Sequence, residues 1–361
     1  MRYWRLFGSF LLVGLVLLAS GCTVSLGGSG GTTSSGADGG IWRSQDSGKT
    51  FAQRVAIPVV GGKVASIAGV DIRRMVFDPS DYRAIYLATE ANGVYYSWDE
   101  GLSWNTFPEF AKMQVQSVAV DPNNKCIIYV LVGNRVVKSK DCGRNWDNVY
   151  YHQNDKIVLS DIAIDIKNSS ILYVANRGGE IIKSENGGTS WYVAYTVKNS
   201  SFIDLVMDPD DSSVIYAITK ESGIYKTADW GQSWANMGEG IKQYFSSQEY
   251  VSLVVDRATR GSLIVASKYS MVKSDNQGRT WSLISLLTTA KPSLIYSVAV
   301  NPKNSNEVYY TTATTLVKSL DGGKTWSSAK LPFSRMVNRI LINPNYPNIM
   351  YFGAHSLVSS K

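Results

Sequence analysis

Seven short apolar runs in this 361-residue chain end in Asp or Asn, and four residues before that end each carries a polar side chain. In order these are Arg74, Ser117, Asp161, Asp204, Ser252, Ser297 and Arg339, set among apolar neighbours such as Val118, Ile162, Leu205 and Ile340. Two arginines in such a row, with Arg73 beside the first, can grip a carboxylate or phosphate through the guanidinium fork. The other reading is a hydrated channel lining without a ligand. Asp161 and Asp204 fall in consecutive runs and offer a carboxylate pair of the kind that sugar hydrolysis requires, one acid on each side of the bond. Little else speaks for catalysis. The only histidines are His152 and His355, and neither a metal-ligand spacing nor a nucleophile triad accompanies them. No catalytic residue, metal or cofactor is therefore expected.

What must position this row is a repeat. An eight-residue box occurs seven times: Ser or Thr, any residue, Asp or Asn, any, Gly, any, a polar residue and an aromatic. The copies run from Ser44 to Phe51, Ser97 to Trp104, Ser139 to Trp146, Ser184 to Trp191, Thr227 to Trp234, Ser274 to Trp281 and Ser319 to Trp326. Their acids and amides are Asp46, Asp99, Asp141, Asn186, Asp229, Asn276 and Asp321. The closing aromatics are 53, 42, 45, 43, 47 and 45 residues apart, the period of a four-stranded propeller blade. In a hairpin corner the Asp or Asn accepts backbone N–H groups, Gly takes a positive φ, and the hydroxyl closes the turn from the other side. Each unit reads as strand A ending in Asp or Asn (Asp78, Asp121, Asp165, Asp208, Asp256, Asn301, Asn343), strand B, strand C, box, strand D. Lys138, Lys183, Lys226, Lys273 and Lys318, with Arg43 in the same place, precede the boxes. A basic ring for anions is one reading; the stronger one lays each alkyl stem over a neighbouring aromatic, as scaffold.

The first box lacks strands A and B before it, and the last A and B lack a D after them. The two chain ends must therefore share a blade, which leaves no free sheet edge. Both Ile41-Trp42-Arg43 and Leu357-Val358-Ser359 look like its strand C, and one of them is redundant. The expected fold is all-β: one seven-bladed β-propeller of four-stranded antiparallel blades, closed by its N- and C-terminal strands. Closure makes Arg74 and Arg339 neighbours with Asp161 and Asp204 on the far side, a dipolar channel mouth.

The boxes resemble the Asp-box (BNR) repeats of sialidases, of sortilin-type receptor propellers, of xyloglucanase-like glycosidases and of photosystem II assembly-factor propellers. The resemblance covers about residues 41–361. Sialidases imply an Arg-Ile-Pro and an arginine triad that this chain lacks, and xyloglucanase-like enzymes use two propellers with the cleft between them. In size, and in having a box in every blade, the chain is most similar to the photosystem assembly-factor group. That resemblance implies a non-enzymatic scaffold for membrane-protein assembly, with Arg74 and Arg339 touching the client. The competing implication is a cell-surface carbohydrate-binding or glycoside hydrolase propeller.

At the N-terminus, Arg2 and Arg5 precede an apolar stretch from Leu6 to Leu18 that has the layout of a secretory signal. It runs into Leu18-Ala19-Ser20-Gly21-Cys22, which resembles a bacterial lipobox; an ordinary signal with a chance Cys is the alternative. The expected organisation is a lipoprotein signal peptide over 1–21, a lipidated Cys22 with a Gly/Ser-rich tether over 22–40, and the propeller over 41–361. An extracytoplasmic, lipid-anchored monomer follows. Of the other two thiols, Cys126 begins a strand B and Cys142 sits in the box of the same blade. A hairpin turning near Gly133-Asn134 puts residue 126 opposite about 141, within disulfide reach, and an exported protein oxidises such a pair.

Hydrophobic residues make up 44% and charged ones 18%, enough for a core and too few charges for wholesale disorder. The formal charge of +7 falls to about +5 without Arg2 and Arg5, and no basic block marks a nucleic-acid site. The D-to-A connections carry Phe107, Phe110, Tyr150, Tyr151, Tyr195, Tyr244, Phe245 and Phe333, a potential binding surface beside the polar row. The longest connection, Gln53 to Asp71, is the expected specificity loop.

Overall fold

The computed structural model describes residues 38–58, 65–220, 222–245, 249–287 and 293–356. The expectations for the signal, Cys22 and Leu357-Val358-Ser359 lie outside the described residues. Seven four-stranded antiparallel sheets form the blades of a β-propeller, each with strands A to D in chain order except the last. The A strands are Ile72–Asp78, Ser117–Asp121, Leu159–Ile164, Phe202–Met207, Tyr250–Val255, Ser297–Asn301 and Met336–Ile342, in blades 1 to 7.

Blade 7 is built from both ends of the described chain. Its A and B strands are Met336–Ile342 and Met350–His355, and its C and D strands are Ile41–Ser44 and Ala52–Arg54. Ile41 pairs with Gly353 and Arg43 with Tyr351, so Ile41-Trp42-Arg43 supplies strand C. Asp38 adds a side-chain tie, accepting the backbone N–H and the hydroxyl of Ser334. The two ends of the described chain thus close the ring by main-chain pairing within one sheet.

The boxes hold their corners as the residue types require. Ser97 Oγ donates to Asp99 Oδ1 at 2.7 Å and accepts the Gly101 N–H at 2.8 Å. Asp99 in turn accepts the Ser103 N–H on Oδ1 and the Ser103 hydroxyl on Oδ2. Asn186 fills the same role by reversing one bond, its Nδ2 donating to Ser190 Oγ. Two successive left-handed residues make the corner, Glu100 at φ 60 and Gly101 at φ 77. Glycine is needed at the second: in the next blade a Cβ on Gly143, at φ +85, would lie 2.2 Å from the Phe107 ring.

Seven apolar clusters fill the seven blade junctions, because each sheet buries both faces against its neighbours. Strand B places a tyrosine at the same position in six of them, and in five strand C covers it with a cation: Lys138 over Tyr129, Lys183 over Tyr173, Lys226 over Tyr216, Lys318 over Tyr309 and Arg43 over Tyr351. In blade 1 Tyr96 faces Tyr86, and in blade 5 Lys273 faces Ile264 and pairs with Asp275 instead. These cations are scaffold. Lys138 Nζ donates to Gly187 O of the following box, as does the Tyr129 hydroxyl; the Tyr173 hydroxyl, Lys226 Nζ and the Tyr351 hydroxyl reach Trp230 O, Gln277 O and Glu100 O of the next box in the same manner. Cys126 and Cys142 form a disulfide beside the bond from Cys142 N–H to Cys126 O.

Candidate functional site

The polar row meets at the centre of the ring, since strand A is innermost in every blade. Arg74 of blade 1 reaches across to blades 3 and 4, its Nη2 lying 2.6 Å from Asp161 Oδ2 and 2.8 Å from Asp204 Oδ1. Arg339 of blade 7 donates from Nη2 to Asp204 Oδ2 at 2.8 Å. Ser117 of blade 2 gives its hydroxyl to Asp161 Oδ1 at 2.7 Å, and the Leu205 N–H reaches Asp161 Oδ2 at 2.8 Å. The expected dipolar mouth is thus corrected: arginine stems are long enough to cross the channel, and the two poles neutralise each other in a bar through its middle.

Both carboxylates are buried behind the guanidiniums, at 0% and 4% side-chain exposure against 17% for Arg74 and 28% for Arg339. Their environments differ. Asp204 has a guanidinium on each oxygen; burial works to raise its pKa, but Arg339 and Arg74 hold it well below the carboxylate range. Asp161 has one guanidinium, and burial followed by the charge of Asp204 pushes it up to about 7 against the pull of Arg74.

One side of this bar floors a cavity of about 690 Å3. Arg74, Arg339 and Ser252 lie at its base, and the walls are the following strand A residues, among them Phe77, Ile164, Val206, Val254 and Val300. Its rim is the residue after each strand A Asp or Asn: Pro79, Pro122, Ile166, Pro209, Arg257, Pro302 and Pro344. The funnel therefore opens on the face of the A-to-B turns, opposite the D-to-A connections with which the sequence associated it. Strand A runs from one face to the other, and the row lies four residues from its far end, so the remaining apolar turn of strand forms the wall.

The D-to-A aromatics are correspondingly not a surface around that mouth. Phe107 and Phe110 are buried edge-on against Trp146, the closing aromatic of the next box, with centroids 5.2 and 4.7 Å away. Tyr150 is tilted against Trp191, Tyr195 stacks on Trp234, and Phe333 stacks on Trp42 at 4.8 Å. Tyr244 donates its hydroxyl to Trp281 O, and Phe245 is buried. Tyr151 is the exception, 55% exposed. They wedge adjacent blades apart at the right spacing. In the longest connection, Ala56–Ile57 pairs with Ala65–Ser66, and Ile67 is fully buried in the junction of blades 7 and 1.

Arg73 points away from the bar to the other face, where it pairs with Glu90 at 2.8 Å. There Asp71 accepts Arg335 Nη1 and the Ser356 N–H, and His355 lies between Asp71 and Glu90. Burial leaves the His355 pKa below its usual value, against the pull of Asp71 and Glu90. The sequence missed Glu90 as a partner, and no spacing signal marks it. Among the described residues no group of three or more His, Cys, Asp or Glu is arranged to hold a metal ion. Nor is any helix among them long and apolar enough to cross a membrane.

The family model described as Sortilin-Vps10 (sortilin, neurotensin receptor 3) matches residues 39–178. No curated protein matches the chain. Among solved structures, the chain is similar to the Niastella koreensis GH74 enzyme at 19% identity and a TM-score of 0.63, covering 84% of this chain and 53% of that one. It thus spans about half the length of the GH74 structures it matches. It is also similar to YCF48 from Cyanidioschyzon merolae, at 14% identity and a TM-score of 0.60, covering 79% and 95% of the two chains. A third structure, YCF48 bound to D1 peptide, gives 18% identity and a TM-score of 0.61 over 83% and 95%. At these identities the likeness is one of fold. The chain is a seven-bladed β-propeller of the architecture that these enzymes and YCF48 share.

Proposed function

We propose that the chain is a non-enzymatic, lipid-anchored, extracytoplasmic scaffold that binds another protein by taking an extended segment of it into the funnel. The observation that carries this reading is the funnel itself, apolar in its walls and with two guanidiniums at its base. Apolar walls gain from burying an apolar peptide, roughly 25 cal/mol per Å2, and the two arginines supply orienting donors. YCF48, alike in fold and nearly equal in extent, has been solved with a bound peptide. The domain plan that goes with the proposal is a signal over 1–21, lipidation at Cys22 with a tether over 22–40, and the binding propeller over 41–361.

Hydrolysis is the weaker reading. Asp161 and Asp204 are both engaged by Arg74, whereas a glycosidase needs one acid free to protonate the leaving oxygen and the other free for water or the sugar. A photo-crosslinking residue in place of Ile166, at the rim, tests the proposal in cells. The expected result is capture of a protein whose cross-links map to one extended segment and are lost in Val206→Asp. Release of reducing sugar from xyloglucan or sialosides by the purified protein would overturn it.

A further inference from the structure

Arg74 and Arg339 each spend one nitrogen on the aspartates. Their Nη2 atoms make every side-chain hydrogen bond recorded for them, and none of their remaining nitrogens is a buried orphan. Nε and Nη1 of both guanidiniums are therefore still able to donate, and both side chains line the funnel floor. The bar itself is charge-balanced, two guanidiniums against two carboxylates.

We infer that the funnel floor binds a carboxylate of the partner together with one proton, and that Asp161 is the group that takes the proton. This rests on the proposed peptide-binding role and adds the chemistry of what is bound. A third carboxylate on two guanidiniums would leave one negative charge uncompensated in a site shielded from water, which is costly enough that a group neutralises instead. The geometry selects which. Asp204 carries a guanidinium on each oxygen, whereas Asp161 shares only Arg74. Its Oδ1 faces the Ser117 hydroxyl, and a hydroxyl can turn from donor to acceptor when that oxygen gains a proton. Its Oδ2 keeps the Leu205 N–H in either state. The charged groups that act on Asp161 are Arg74 from blade 1 and Asp204 from blade 4, the latter held by Arg339 from blade 7. Burial, with the charge of Asp204 beside it, already raises the Asp161 carboxyl above the usual carboxylate range, in agreement with this choice. When a carboxylate arrives, Arg74 is shared with it, and the hold on the Asp161 anion weakens further.

The test uses three probes on the propeller: N-acetyl-Val-Val-Leu with a free terminal carboxylate, its amide, and N-acetyl-Val-Glu-Val-Leu-amide. Binding is followed by the Nε–H resonances of Arg74 and Arg339 and by calorimetry in two buffers of different ionisation enthalpy. At least one carboxylate peptide should bind at pH 7, and which of them does so separates a chain terminus from an acidic side chain. Affinity should fall about fivefold from pH 7 to pH 8, with close to one proton taken up per peptide at the higher pH. Asp161→Asn, which has the shape of the protonated acid, should bind as tightly at pH 8 as at pH 7. Equal binding of the amide, or a pH dependence that survives Asp161→Asn, would overturn the inference while leaving the funnel a peptide site. Failure of all three peptides to move either arginine resonance would remove the peptide-binding role along with it.

Discussion

Arg74→Met removes the bar across the channel while keeping most of the apolar stem. In its absence Asp161 has no cation within reach, although Asp204 still holds Arg339. Removing one partner of a buried pair costs about 3–5 kcal/mol, chiefly because the remaining charge is left without compensation. Asp161 is fully buried and its carboxyl is already pushed up to about 7, so without Arg74 it takes a proton instead of staying charged, and the pH-dependent part of the cost reaches only about 1.4 kcal/mol at pH 8. Taking protonation into account gives the pH sign. A carboxyl whose folded pKa lies above its unfolded value destabilises the fold as pH rises from about 4 towards the folded pKa, and the loss is complete above it. The penalty of Arg74→Met should therefore be small at pH 5 and largest near pH 8. Adding Asp161→Asn removes the group that must take the proton, and the double variant should regain about 1 kcal/mol at pH 8. Urea unfolding at the two pH values reads all four corners of the cycle. A cost that does not grow between pH 5 and pH 8, or a double variant no more stable than Arg74→Met alone at pH 8, would refute the account of Asp161 as the poorly compensated member of the bar.

In the boxes, Asp99→Asn should cost little, because Asn186 and Asn276 already hold the same corner, whereas Asp99→Ala should lower stability by about 1–3 kcal/mol in thermal unfolding through orphaned donors. Carboxyl titration by NMR should find Asp46, Asp141, Asp229 and Asp321 near 2; since those values are depressed, their contribution is present above pH 4 and is lost as pH falls towards 2. Gly143→Ala forces a Cβ into the Phe107 ring at a left-handed φ, and the expected loss is about 3 kcal/mol from backbone and packing together, measured as a shift in the denaturant midpoint. Reduction of Cys126–Cys142, separated by 16 residues, should cost about 3 kcal/mol on the loop-entropy account, and Cys126→Ser with Cys142→Ser should match the reduced protein.

The blade count, the closing blade and the scaffold lysines were legible because each rests on chemistry local to a few residues and repeated seven times. A box such as Ser97 to Trp104 specifies its own corner, and its period then counts the sheets. The row from Arg74 to Arg339 was legible for the same reason. What alignment does not carry is how far a side chain reaches across empty space. It placed the arginines and aspartates on opposite sides of a channel, and only the width of the ring decides that a guanidinium spans it. The face on which the funnel opens was also misjudged, although a signal existed: five of the seven positions after the strand A Asp or Asn are proline, and these mark the rim. The D-to-A aromatics misled because exposure was inferred from loop position, when in fact Phe107, Phe110 and Phe333 are drawn inward by the tryptophan that each neighbouring junction provides.

Blade 6 shows what the repeat holds constant when a residue changes. Strand A ends there in Asn301, where blades 2 and 4 have Asp121 and Asp208, whose charge acts on the strand C lysines Lys138 and Lys226. An amide offers Lys318 no such charge. Glu307 supplies it from strand B, two residues before Tyr309, a position that holds Ala84, Ile127, Ile171, Val214 and Ile349 before the tyrosines of other blades. One carboxylate oxygen of Glu307 accepts Lys318 Nζ and the Tyr309 hydroxyl, both at 2.5 Å, and the other accepts Asn301 Nδ2 at 2.6 Å. Burial works to raise this carboxyl, but those three donors hold it below its usual value. Asp78 and Asp208 each leave a buried Oδ2 without a hydrogen bond; in blade 6 the nitrogen in that place finds an acceptor. The junction thus requires one negative charge near each lysine, not an aspartate at a given place. The same accounting applied to the channel, where two guanidiniums face two carboxylates, is what makes an arriving anion and a proton a single event.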